Sequence, residues 1–84
     1  MPKETLDLII PAEGMFDIIP SDVNDLAQIA RGVYVGDSGN LHVRMVDGSE
    51  GVWGNLIAGM IHPMQVVRVF ATGTTADDIR GVPR

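Results

Sequence analysis

Val33-Tyr34-Val35-Gly36-Asp37-Ser38-Gly39-Asn40-Leu41-His42-Val43-Arg44-Met45-Val46-Asp47-Gly48 decides the fold class. Apolar and polar residues alternate with a period of two on either side of a Gly/Asp/Ser/Asn cluster, the pattern of half-buried strands around a turn. Val33 and Val35 point one way with Tyr34 between them. Leu41, Val43 and Met45 alternate with His42 and Arg44, so the stretch predicts a β-hairpin. Asp47-Gly48 is a favoured two-residue hairpin turn because both residues tolerate positive φ. It returns the chain through Glu50 to Trp53 and predicts a three-strand meander.

Working outward, residues 54–64 are loop-rich, with Gly54-Asn55, Gly59 and Pro63. Gln65 to Ala71 is a strand with Val67 and Val69 on one face and Val66, Arg68 and Phe70 on the other. Apolar groups on both faces place it centrally in a closed barrel or against another chain. Thr72-Gly73-Thr74-Thr75-Ala76 is a turn, and the polar tail from Asp77 to Arg84 has room for one short final strand around Ile79 and Val82.

Upstream, Ser21 to Ala30 divides between two readings. Ser21 can cap a short helix with Leu26, Ile29 and Ala30 on one face, or the stretch is a turn-rich connection, since ten residues sustain a helix poorly. Further upstream, Ile9-Ile10-Pro11 returns nine positions on as Ile18-Ile19-Pro20. Proline donates no ladder hydrogen bond and holds the preceding residue extended. The two segments read equally as strands of the domain's own sheet or as an arm docked on a neighbouring subunit.

The expected fold is therefore all-β: a small antiparallel β-barrel or sandwich of about five to seven short strands. Residues 1–20 form an extended N-terminal arm, and residues 21–84 a single small β domain.

Composition narrows the function. A chain of 84 residues buries only roughly 60% of its unfolded surface, and with no cysteine it has no disulfide to offset that. Metal binding or assembly remains as a source of stability. The net charge of −5 is carried by residues 1–28, where Glu4, Asp7, Glu13, Asp17, Asp22 and Asp25 face Lys3 alone. Beyond them the five arginines Arg31, Arg44, Arg68, Arg80 and Arg84 are isolated and balanced by five acids, which disfavours nucleic acid as a partner. No stretch reaches the roughly 18 apolar residues of a membrane span, and no signal sequence is visible, so the expectation is a soluble protein made in the cytoplasm.

The motifs that suggest chemistry are weak. Gly36-Asp37-Ser38-Gly39 matches the turn that presents a serine nucleophile, but such strings are common turns and that mechanism needs a base and an acid on a longer chain. His42 and His62 lack the companions and spacing of a zinc site. Asp22-Val23-Asn24-Asp25 opens like a calcium loop, then fails at Ala27 and Val33, where glycine and glutamate are required. No catalytic residue, metal site or cofactor is expected. Trp53, between Gly51 and Gly54, is an aromatic anchor for a core or interface. A rival reading places Trp53 and Tyr34 along one groove of a binding module for carbohydrate or peptide.

The order of motifs from Asp25 to Ala76 resembles a family of very short proteins of tailed phages and gene transfer agents that includes the head-spike base proteins. The matching elements are Ala30-Arg31-Gly32-Val33-Tyr34-Val35-Gly36, Gly39-Asn40-Leu41-His42-Val43, Asp47-Gly48, Gly59-Met60-Ile61-His62-Pro63, Arg68-Val69 and Ala71-Thr72-Gly73-Thr74-Thr75-Ala76. The polar tail and the apolar arm depart from that family's pattern.

The resemblance implies a virion structural protein on the head surface, a spike or fibre base or a capsid decoration protein, without enzymatic activity. Its implied partners are copies of itself, as a cyclic pentamer or trimer, and a major capsid or spike/fibre protein. Nucleic acid and membrane are not among them. The candidate interface residues are Ile9, Ile10, Phe16, Ile18, Ile19, Trp53, Val66 and Phe70.

Overall fold

The computed structural model describes residues 12–84, and these form one antiparallel sheet of six strands without a helix. The strands are β1 (Phe16–Asp17), β2 (Ala30–Asp37), β3 (Gly39–Met45), β4 (Glu50–Leu56), β5 (Ile61–Val69) and β6 (Asp77–Pro83). Their order across the sheet is β1-β6-β2-β5-β3-β4. The all-β class and the number of strands agree with the sequence pattern; the pairing does not follow chain order.

The expected hairpin between β2 and β3 is absent. Only Ser38 separates the two strands, too little for a two-residue turn, so the chain turns a corner there and continues extended. β5 fills the space between them. Ala30, Val33 and Tyr34 of β2 lie opposite Val66, His62 and Ile61, whereas Val43 and Arg44 of β3 lie opposite Val69 and Arg68. One long strand thus serves two partners, and it runs through Pro63 rather than starting after it. The loop that precedes it shrinks to residues 57–60, turned by Gly59 at φ 85°.

The β3–β4 hairpin forms as expected, with a different turn. Met45 N–H donates to Ser49 C=O and Gly48 N–H to Met45 C=O, which encloses a three-residue loop, Val46 to Gly48. Of the Asp47-Gly48 pair only Gly48 has positive φ, at 93°. Asp47 instead accepts the Ser49 N–H and hydroxyl on its carboxylate, which fastens the end of the loop.

The alternation expected for residues 65–71 is broken by a bulge. Arg44 pairs with Arg68 but Met45 pairs with Val66, so Val67 is an extra residue opposite a single step of β3. The slip reverses parity and turns both Val66 and Val69 inward. They join Val33, Val35, Leu41 and Val43, all at most 1% exposed, inside the curl of the sheet. Full burial of each such side chain contributes roughly 1.5–3 kcal/mol.

The polar tail is a central strand. β6 lies between β1 and β2, with Ile79 and Val82 buried. Its entry is closed by the 72–76 turn, where Thr75 N–H and Ala76 N–H both donate to Asn40 C=O and Asn40 N–H donates to Thr75 Oγ1. Gly39 makes this closure sterically possible, because a Cβ there would lie 2.5 Å from the Ala76 nitrogen.

Ser21 caps a loop, not a helix. Its Oγ accepts from Val23 N–H and Asn24 N–H, and the loop is tied to β5 through Ser21 N–H to Val69 C=O and Leu26 N–H to Val67 C=O. Of the stretch 1–20 expected as an arm, Phe16 and Asp17 pair with Gly81 and Arg80 on β6, and Ile18 is buried. Ile9 and Ile10 lie outside the described residues.

Candidate interaction surface

Among the expected interface residues, burial separates two groups. Ile18 and Val66 sit in the chain's own core, and Phe70 is covered as well, so none of the three offers surface to a neighbour. Phe70 has turned away from the core and is enclosed from outside. The His42 ring stacks on it at 4.3 Å, and the Arg44 and Arg68 guanidinium carbons each lie 5.5 Å from its centroid. Phe16 is partly buried, with its ring over Gly81. Ile19 at 82% and Trp53 at 48% exposure remain accessible.

Trp53 projects from β4, directly opposite the buried Leu41 of β3. It belongs to the core-facing row, and the core ends there because β4 is the last strand of the sheet. Apart from Leu56, every residue of β4 is exposed. A shallow recess of about 200 Å³ runs beside it, bordered by Val43, Met45, Gly51 and Trp53.

A larger groove of about 630 Å³ lies on the outer face. Arg80 of β6, Tyr34 of β2 and Ile61 of β5 are cross-strand neighbours in one row, and Met15 and Val82 border the groove they line. Asp17 and Asp78 both pair with Arg80 and hold the guanidinium even more firmly charged than usual, the Asp78 carboxylate foremost. The floor is therefore apolar and the rim carries a fixed ion-pair cluster. Trp53 and Tyr34 border different grooves, so no single aromatic cleft joins them. Exposed Met15, Val23, Ile57, Met60 and Ile61 extend the apolar surface. They escaped sequence reasoning because they lie in loops or at strand ends, where no period marks a face.

The weak motifs are occupied structurally. Ser38 Oγ accepts the Ala58 N–H at 2.9 Å. His42 Nδ1 donates to Thr72 C=O and His62 Nε2 to Ile57 C=O, because a carbonyl can only accept. Asp22 is engaged by the chain itself: its carboxylate accepts the N–H and hydroxyl of Thr72, bonds that hold its pKa below the ordinary carboxylate value. Asp25 pairs with Arg68 at 2.8 Å, so the two acids fasten the 21–26 loop to β5 and the following turn. Among the described residues no group of three or more His, Asp or Glu side chains is placed to hold a metal ion, and no helix is long and apolar enough to cross a membrane.

This fold has a solved counterpart. A chain of the structure "Capsid of native GTA particle computed with C5 symmetry", from a gene transfer agent, superposes with a TM-score of 0.76 and is 41% identical, over 84% of this chain and 82% of that one. The protein belongs to the family of that capsid component. No family model matches the sequence, and no curated protein does. For this member of the capsid family, the exposed β4 edge with Trp53 and the Tyr34–Ile61 groove are the candidate contact surfaces.

Proposed function

We propose that this protein is a structural component of a virion-like particle of the gene transfer agent or phage type. It sits on the head as a spike or fibre base or as a decoration protein, and acts through contacts with its own copies and with the shell. The observation that carries this reading is the 41% identity and TM-score of 0.76 to a capsid component.

The physical setting supports it. Among the described residues thirteen hydrophobic side chains are buried, while Ile19, Trp53, Ile57, Met60 and Ile61 remain on the surface. A small domain with few buried groups gains more from covering such surface than from holding it in water. The work is done by binding, not catalysis. Its partners would be copies of itself in a cyclic oligomer and a major capsid or spike/fibre protein.

Electron microscopy of particles purified with and without the gene for this protein tests the reading. Density for a β domain on the head that disappears in the deletion is the expected result. Particles of identical composition and density in both preparations would refute it.

A further inference from the structure

β4 is a seven-residue edge strand whose outer edge has no partner among the described residues. Edge strands are commonly protected by lysine, proline or an early end. β4 has none of these and Glu50 is its only charge; its one bulge, at Gly54–Asn55, leaves Glu50–Trp53 in regular register with β3. On the core-facing side Trp53 is half exposed, and Gly51 leaves open space beside it, with no atom within 4 Å of where a Cβ would sit. The edge thus presents free backbone hydrogen-bonding groups next to an aromatic shelf, the two elements that strand addition uses.

The same chain carries a segment suited to that edge. In Thr5-Leu6-Asp7-Leu8-Ile9-Ile10, Leu6, Leu8 and Ile10 recur with a period of two ahead of Pro11, the sequence pattern of a strand stopped by proline. Six residues approach the length of β4. The described chain enters the sheet at β1, the opposite end of the strand order from β4. A strand leaving the β1 side of one copy for the β4 edge of the next makes a head-to-tail contact, the kind that closes into rings.

We infer that residues 5–10 of one copy add a strand to β4 of a second copy, with Leu6, Leu8 and Ile10 against Trp53. The inference rests on the self-assembly proposed above and assigns it a surface.

Native mass spectrometry and amide hydrogen exchange on the full chain, on a chain lacking residues 1–11 and on Trp53→Lys test it. The full chain is expected to form oligomers in which the amides of residues 50–56 exchange slowly. Either change lowers the apparent association constant by at least about 30-fold, the loss typical of an aromatic anchor. It also returns residues 50–56 to fast exchange, while slow exchange in β2 and β5 reports an intact fold. Oligomers that survive removal of residues 1–11 overturn the inference, as does a full chain that stays monomeric. Protection of residues 50–56 that is independent of concentration also overturns it, by placing the segment on its own chain. Particle association is measured in parallel and judges the virion role alone: a truncated chain that loses oligomers yet still decorates particles supports both readings.

Discussion

Replacing Gly39 by alanine tests the closure of the sheet at its most crowded point. The added methyl would sit 2.5 Å from the Ala76 nitrogen, 2.8 Å from the Ala76 Cα and 2.8 Å from the Thr75 carbonyl carbon. All three are backbone atoms, so no side chain can rotate out of the way. The same backbone is tied to Asn40 by two N–H bonds to its carbonyl, of 2.9 and 3.1 Å, and by the 2.9 Å bond from Asn40 N–H to Thr75 Oγ1. Overpacking of this kind costs about 1–3 kcal/mol, and each hydrogen bond stretched by the shift roughly 0.5–1.5 kcal/mol. A net loss of about 3 kcal/mol corresponds to a fall in Tm of roughly 12–24 °C for a domain of this size.

Gly51→Ala is the matched control, since no atom lies within 4 Å of its would-be Cβ. It removes conformational freedom only from the unfolded chain and is expected to leave Tm unchanged or to raise it by a few degrees, on the order of 0.4–1 kcal/mol. The assay is thermal unfolding followed by far-ultraviolet circular dichroism at a concentration where the protein is monomeric. Equal melting of Gly39→Ala and the parent, or an equal fall in Gly51→Ala, would refute the claim that the 72–76 turn closes over Gly39.

Leu41→Ala, at a fully buried position, is expected to cost about 2–5 kcal/mol by urea unfolding, whereas exposed Val52→Ala stays within about 0.5 kcal/mol; similar midpoints would contradict the placement of the core. The Asp22 carboxyl is depressed by its bonds to Thr72, so its contribution is present above the unfolded-state carboxylate value and fades as pH falls through the lower folded value. Asp22→Asn should therefore unfold more easily than the parent at pH 7, with the gap narrowing in strong acid; a gap constant across that range would count against the Thr72 clamp. Ser38→Ala removes the acceptor of the Ala58 N–H and should cost about 1 kcal/mol without changing particle association, and a fluorophosphonate probe should fail to label Ser38. Labelling would revive Ser38 as a nucleophile.

Much of the local structure was legible because it depends on near neighbours. Alternation at Leu41, Val43 and Met45 marks β3, and its inward set is the set found in or against the core. Ser21 signals a cap and supplies one, though the turn it caps never propagates into a helix. The candidate surface was only partly legible. Trp53 was visible as a lone aromatic between glycines, and Ile19 as an apolar residue before proline. Ile18, Val66 and Phe70 are covered by their own chain, because exposure depends on what packs against each face of a strand, which no local pattern records.

The sequence by itself determined that the chain is built from short strands, that glycine-rich corners join them, and that its charge is concentrated ahead of an electrically balanced β unit. These follow from alternation, turn chemistry and composition, all short-range properties. Only the tertiary structure decided that β5 inserts between β2 and β3, that a bulge at Val67 turns both Val66 and Val69 inward, and that the polar tail is a central strand. Strand pairing joins residues far apart in the chain, and one inserted residue reverses every face beyond it, so neither can be read from a local period. The same reason leaves β4 at the edge: nothing in Glu50 to Leu56 distinguishes an outer strand from an inner one until every other strand has found its partners.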